Sequence, residues 1–161
     1  MQADADIVTP AEVVTRFLHS APVDLDAMAR ALNLEVVREA ALPDDVSGSI
    51  HRSGSRFRVS INARHSSTRQ RFTLAHEIAH YVLHRDLIGD GITDNAMYRS
   101  RLSNELETQA NRFAANILMP PRLVRQVYVT EGTRDLASLT ERFKVSVEAM
   151  RIRLKGLGLS A

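Results

Sequence analysis

The chain contains no cysteine, which excludes disulfides, a thiol nucleophile and a thiolate-held structural zinc. It also lacks a long hydrophobic run, since no stretch approaches the roughly 18 uninterrupted apolar residues of a membrane helix. Its first residues, Met1 to Asp6, are acidic where a secretory leader would be basic. A cytoplasmic protein without a membrane partner is the expectation. Lysine is scarce, with Lys144 and Lys155 alone among 21 basic residues; a coding bias accounts for that ratio without reference to function. Net charge is small as well. A formal +2 gives no argument for a nucleic-acid partner, although the distribution is uneven. Residues 1–50 carry nine acids against three arginines, a balance of −6, whereas residues 122–155 carry eight basic residues against four acids, a balance of +4.

What is present is ordinary for one compact domain: 161 residues, 44% hydrophobic and 25% charged. Thr9-Pro10-Ala11-Glu12 reads as a capping box with proline at the first helical position, predicting a helix to about Ser20. Asp24 opens a second short helix, and Asn33 is placed to end it. Leu34 to Val37 reads as a strand that Pro43-Asp44-Asp45 breaks. Gly48 to Arg52 and Arg56 to Asn62, joined by Ser53-Gly54-Ser55, read as a β-hairpin with one apolar and one basic face. An exposed strand of this hairpin is the candidate edge for pairing with a peptide backbone.

The informative stretch runs from Arg71 to His84, where His76 and His80 stand four apart with Glu77 beside the first. On a helix, that spacing sets two imidazoles on one face, one turn apart, where both can bind a single divalent ion. Ser67 and Gln70 read as a capping box, and Phe72, Ala75, Ile78, Ala79 and Val82 as the buried stripe that makes the segment helical. Neutral imidazoles suit zinc, and a catalytic zinc keeps one position open for water. Glu77 does not ligate in this reading; its place is beside the water, whose proton it can take. His84 extends the row, but one ion cannot reach both His76 and His84, about 12 Å apart along the axis. Its expected role is to cap carbonyls or to orient a neighbour.

Asp86 to Asn104, with Gly89, Gly91, Asp90 and Asp94, reads as a loop over the site, and Tyr98 and Arg99 on it are candidate oxyanion donors. Ser103 to Leu118 returns to a helical pattern stopped by Pro120-Pro121, with Leu106, Ala110, Phe113, Ala114 and Ile117 on one face. Glu107 on its flank is the carboxylate that a two-histidine site needs as a third ligand. Asn111 is the candidate for holding a ligand in place, and Glu105, which competes with Glu107, points to another side of the helix.

Two segments together, Arg71 to His80 and then Glu107-Thr108-Gln109-Ala110-Asn111-Arg112-Phe113-Ala114 ending in Leu118-Met119-Pro120, resemble the ImmA/IrrE family of bacterial and phage metallopeptidases. The resemblance covers roughly Leu25 to Leu159. It implies zinc on His76, His80 and Glu107 with Glu77 as catalytic base, and a substrate that is a helix-turn-helix repressor of a mobile element or stress response. Ala79 stands where relatives often carry glycine, a change a helix tolerates well.

Leu136 to Leu154 reads as helix, tight turn, helix, with Ser146 as the cap and Gly156 and Gly158 closing the second helix. It resembles a helix-turn-helix, taken here as a structural or protein-docking tail rather than a DNA reader. The expected architecture is therefore a small α+β zincin-like metallopeptidase domain. It is mainly helical, has a short antiparallel sheet of about three strands, and divides into a catalytic part over 1–130 and a tail over 131–161 that can pack into the same domain. The leading function is a zinc endopeptidase; the alternative is a DNA-associated regulator or antitoxin-like module with a structural or vestigial metal.

Overall fold

A computed structural model describes residues 7–88, 92–95 and 104–161. Local signals act where the sequence puts them. In helix α1 (Pro10–Thr15), the Thr9 hydroxyl accepts from the Glu12 amide, and Glu12 returns a carboxylate oxygen to the Thr9 amide. The helix ends five residues earlier than Ser20, because the next turns tighten to i to i−3 bonds at Arg16, Phe17 and Leu18. Helix α2 (Leu25–Ala31) is capped by Asp24, and Asn33, with a φ of 59°, turns the chain out of it.

The sheet that follows has strands β1 (Leu34–Glu39), β2 (Val46–Ser53), β3 (Arg56–Asn62) and β4 (Ile92–Asn95), in the order β1-β3-β2-β4. The β2–β3 hairpin forms as expected, turning at Gly54 with φ 63°. Two expectations fail. The sheet is mixed rather than antiparallel, since β1 runs parallel to β3, and a fourth strand comes from the stretch read as a loop. Both hairpin strands consequently lie inside the sheet, so neither is an edge for a substrate; among the described residues the edges are β1 and β4. The outer face of the hairpin is less basic than its sequence implies, because Arg58 pairs with its register partner Glu35 at 3.2 Å. Asn62 is fully buried at the end of β3, donating to the Pro43 and Val46 carbonyls and accepting from the Arg64 amide. Those bonds satisfy the turn between β1 and β2.

Helix α3 (Ser67–His84) is capped by Ser66, one residue before the expected Ser67; the Ser66 hydroxyl accepts from the Arg69 amide. Gln70 donates to the Ala63 and His65 carbonyls, so it ties down the preceding turn rather than closing a capping box. Ala75, Ile78 and Ala79 are buried as expected, but Phe72 is 41% exposed and Leu74 takes the inward place. Helix α4 (Asn104–Leu118) lies against α3 and buries Ala110, Ala114, Ile117 and Leu118. Helix α5 (Pro121–Arg125) runs on into a wider turn over Gln126–Thr130. Helices α6 (Leu136–Phe143) and α7 (Val147–Gly156) meet at Lys144, φ 52°, and Ser146 caps α7. Leu139, Phe143, Met150 and Leu154 of this hairpin share one buried cluster with Leu25, Ile50, Val59, Leu74 and Ile117. Each such side chain contributes about 1.5–3 kcal/mol by leaving water, so the tail is part of what holds the domain together. Among the described residues, no helix is long and apolar enough to cross a membrane.

The sheet sits on α3 through one close approach. A Cβ on Gly48 of β2 would stand 2.5 Å from Thr73 Cγ2 and 2.7 Å from the Ser60 carbonyl oxygen, with Glu77 Oε1 at 3.8 Å. Only a glycine lets the strand come this near. Gly48→Ala is expected to destabilise the protein by about 1–3 kcal/mol, the usual cost of overpacking. Because one clash is with backbone, adding Thr73→Ala should recover only part of the loss. A Gly48→Ala urea midpoint equal to that of the unmodified protein would contradict the contact.

Candidate metal centre

The centre is built from one face of α3 and one residue of α4. His76 and His80, four apart, place their ring centroids 4.6 Å apart at an interplanar angle of 87°. Both are buried, and Glu107 of α4 reaches them, its Oε2 lying 3.2 Å from His76 Nε2 and its Oε1 3.1 Å from His80 Nε2. One donor atom from each of the three falls within 4.8 Å of the others. Glu105 is exposed and outside the group. Burial alone would raise the Glu107 carboxyl, but hydrogen bonds and positive charge from His76 and His80 offset it and hold the carboxyl well below the usual carboxylate range.

These residues fit a metal on the chemistry of their donors. A carboxylate oxygen and an imidazole lone pair repel unless something positive lies between them, either a proton or an ion. Two nitrogens and a carboxylate are a zinc donor set, and bonds of about 2.1 Å at a tetrahedral centre put ligand atoms about 3.4 Å apart, close to the separations here.

The next layer was only half foreseen. His84 is buried with its Nδ1 at 3.1 Å from His80 Nδ1 and its Nε2 at 2.9 Å from Gln109 Oε1. With Gln109 accepting, His84 carries its proton on Nε2 and presents a lone pair at Nδ1. When an ion rather than a proton lies between His80 and Glu107, His80 donates from Nδ1 and keeps its own lone pair on Nε2, the nitrogen that faces Glu107. This is the orienting role considered for His84. Asn111, expected to steady a ligand, is instead exposed on α4 and lines a neighbouring groove. Gln109 was missed, although it sits two residues after Glu107 in the second of the two segments that carry the family resemblance.

Glu77 is fully buried with its carboxylate beneath β2 at Gly48, and it is not one of the three clustered donors. Phe72 lies against His76, ring centroids 6.1 Å apart. Tyr98 and Arg99, and most of the loop expected over the site, lie outside the described residues; the part that is described, Ile92–Asn95, is strand β4.

A helix-borne His-Glu-x-x-His with a carboxylate from a second helix, under a small sheet, is the arrangement of a metallopeptidase-like domain. The family model described as IrrE N-terminal-like domain matches residues 29–155, and the chain belongs to that family. It is similar to the radiation response metalloprotease IrrE of Deinococcus radiodurans, 39% identical over 95 residues, which is 56% of this chain and 28% of that protein. The IrrE of Deinococcus deserti is also 39% identical over 92 residues, 55% of this chain and 32% of that protein. The alignments thus span about a third or less of these curated relatives. A solved structure titled Mycobacterium tuberculosis transcriptional regulator shares the fold, with a TM-score of 0.59 at 21% identity over 91% of this chain and 46% of that one.

Removing the orienting pair should weaken the metal without touching a donor. His84→Ala and Gln109→Leu are each expected to lower zinc affinity by about 10–100-fold, measured by competition with a chromophoric chelator. Unchanged affinity in both would mean that His84 merely fills space.

Proposed function

We propose that the protein is a zinc-dependent endopeptidase of zincin-like design, acting on a protein substrate. The observation that carries this is Glu77. A structural ion held by His76, His80 and Glu107 has no need of a further buried carboxylate beside its first ligand, whereas hydrolysis of an amide needs a base at that place. When bound, the zinc supplies Lewis-acid polarisation of the scissile carbonyl and eases ionisation of the attacking water. His76 and His80 hold the ion as neutral imidazoles, and His84 and Gln109 keep His80 in the tautomer that can do so. Glu107 completes the donor set from α4. Glu77 takes the proton of the attacking water and delivers it to the leaving amine. Tyr98 and Arg99 remain the proposed donors to the developing oxyanion.

The substrate class we infer is a helix-turn-helix repressor of a mobile element or stress response, docked in part by the helical tail and cut at one or a few sites. The support is the family and the basic balance of residues 122–155. Arg142 of that tail lies 3.4 Å from Glu131 in an exposed pair, which is weak enough to yield to a partner's charge.

Elemental analysis should find about one zinc per chain, lost in the His76→Ala, His80→Ala double variant. Glu77→Gln should retain zinc and fold, because the amide fills the same space, while cleavage of a repressor encoded beside this gene falls by at least about 10²-fold. Full turnover by a zinc-loaded Glu77→Gln protein would assign the base elsewhere.

A further inference from the structure

Beside the candidate metal centre, a half-open groove of about 910 Å³ runs between the start of α3, the outer side of α4 and the length of α7. It adjoins the candidate metal centre without sharing a lining residue with it: Phe72 borders the groove and has its ring 6.1 Å from that of His76, and Thr108, next to Glu107 in sequence, is on its wall. Its floor is apolar, with Met119 and the 65% exposed Ile152 among the lining residues. Such a surface on a soluble face marks an interaction site more often than an accident of packing.

The charges along it are all of one sign. Among the described residues, Arg69, Arg112 and Arg153 line the groove and no aspartate or glutamate does. Four other arginines among the described residues pair with carboxylates, Arg38 with Asp26, Arg58 with Glu35, Arg64 with Asp44 and Arg142 with Glu131, while others such as Arg56, Arg71 and Arg125 donate to backbone carbonyls. Among the described residues, none of the three groove arginines has a carboxylate partner. Arg69 donates to the Ser47 hydroxyl and Arg153 to the Asn116 amide oxygen, both neutral. Arg153 is half-buried, and burial lowers its pKa with no acid to oppose it. A guanidinium held against an apolar wall without a counter-charge is stabilised by an incoming carboxylate.

We propose that this groove docks an amphipathic, acidic segment of the protein substrate, with apolar side chains on the floor and carboxylates on Arg69, Arg112 and Arg153. This rests on the peptidase reading and deepens it: polypeptide crossing the metal centre passes Phe72 and continues into the groove. A nucleic acid fits less well, because it offers no aliphatic face to the floor and calls for more cations and stacking rings than three arginines and one phenylalanine.

The test uses the full chain with zinc and the Glu77→Gln substitution, so that binding is read without cleavage. The probe is a fluorescein-labelled peptide of about 16 residues with leucine and glutamate at helical spacing, and the control replaces each glutamate by lysine. Fluorescence anisotropy should show the acidic peptide binding at least about tenfold more tightly than the basic one, and weakening as salt rises. Arg112→Glu and Ile152→Asp, both at exposed positions, should each weaken it by about tenfold with zinc content unchanged. The proposal is overturned if the acidic peptide does not bind, if both peptides bind alike, if neither variant changes affinity, or if a short DNA duplex displaces the peptide and is lost with the same variants. Persistent cleavage by Glu77→Gln would defeat the peptidase reading while leaving these affinities as they are, so the two failures are distinguishable.

Discussion

Three imidazoles and a carboxylate, those of His76, His80, His84 and Glu107, lie together where α3 meets α4, and much of the fold is arranged around keeping them there. Groups of this kind are expensive to remove from water unless each finds a partner. Here the partners are largely one another: Glu107 bridges His76 and His80 at 3.1–3.2 Å, and His84 with Gln109 holds the far side of His80. An α-helix can carry three of these side chains on one face because residues 76, 80 and 84 recur once per turn. It cannot supply the opposing carboxylate, which has to come from a second helix packed alongside. The α3–α4 contact is thus both structural and chemical, and an ion between the three donors would tie the two helices together as well as serve a reaction.

The same pocket explains the sheet. A strand laid directly on α3 at Thr73 and Glu77 must have no side chain there, and Gly48 meets that demand. Pairing of β2 on both sides, with β3 and β4, fixes the strand whose backbone covers Glu77. The register shift between Val46 and Gly48 falls at this crossing, where the strand bends to come close.

Legibility in the sequence followed the range of the interaction. Caps at Thr9, Asp24 and Ser146 and the stop at Asn33 depend on neighbours within a few residues, and each stands as read. The shift from Ser67 to Ser66 arises because two adjacent serines offer the same hydroxyl and only the entering backbone chooses between them. Parallel pairing of β1 with β3, and the recruitment of Ile92–Asn95 as a fourth strand, depend on where distant segments meet, which periodicity does not encode. Phe72 marks the limit in another way. Its spacing is that of a core residue, yet α4 and α7 leave it beside open space, so an apolar residue on the expected face borders a groove instead of filling an interior.

The tail shows why pattern alone does not divide a chain. Residues 131–161 look separable, with their own helix-turn-helix spacing and their own charge, yet Leu139, Phe143, Met150 and Leu154 enter the same cluster as the sheet and α3. Helix α7 consequently presents one face to the core and leaves Ile152 and Arg153 on the groove side, opposite Phe72 and Arg112. On that face Arg153 ties α7 to α4 through Asn116, while Ile152 stays exposed and adds little to the stability of the tail. Its apolar and cationic character is what the proposed acidic, amphipathic partner would complement.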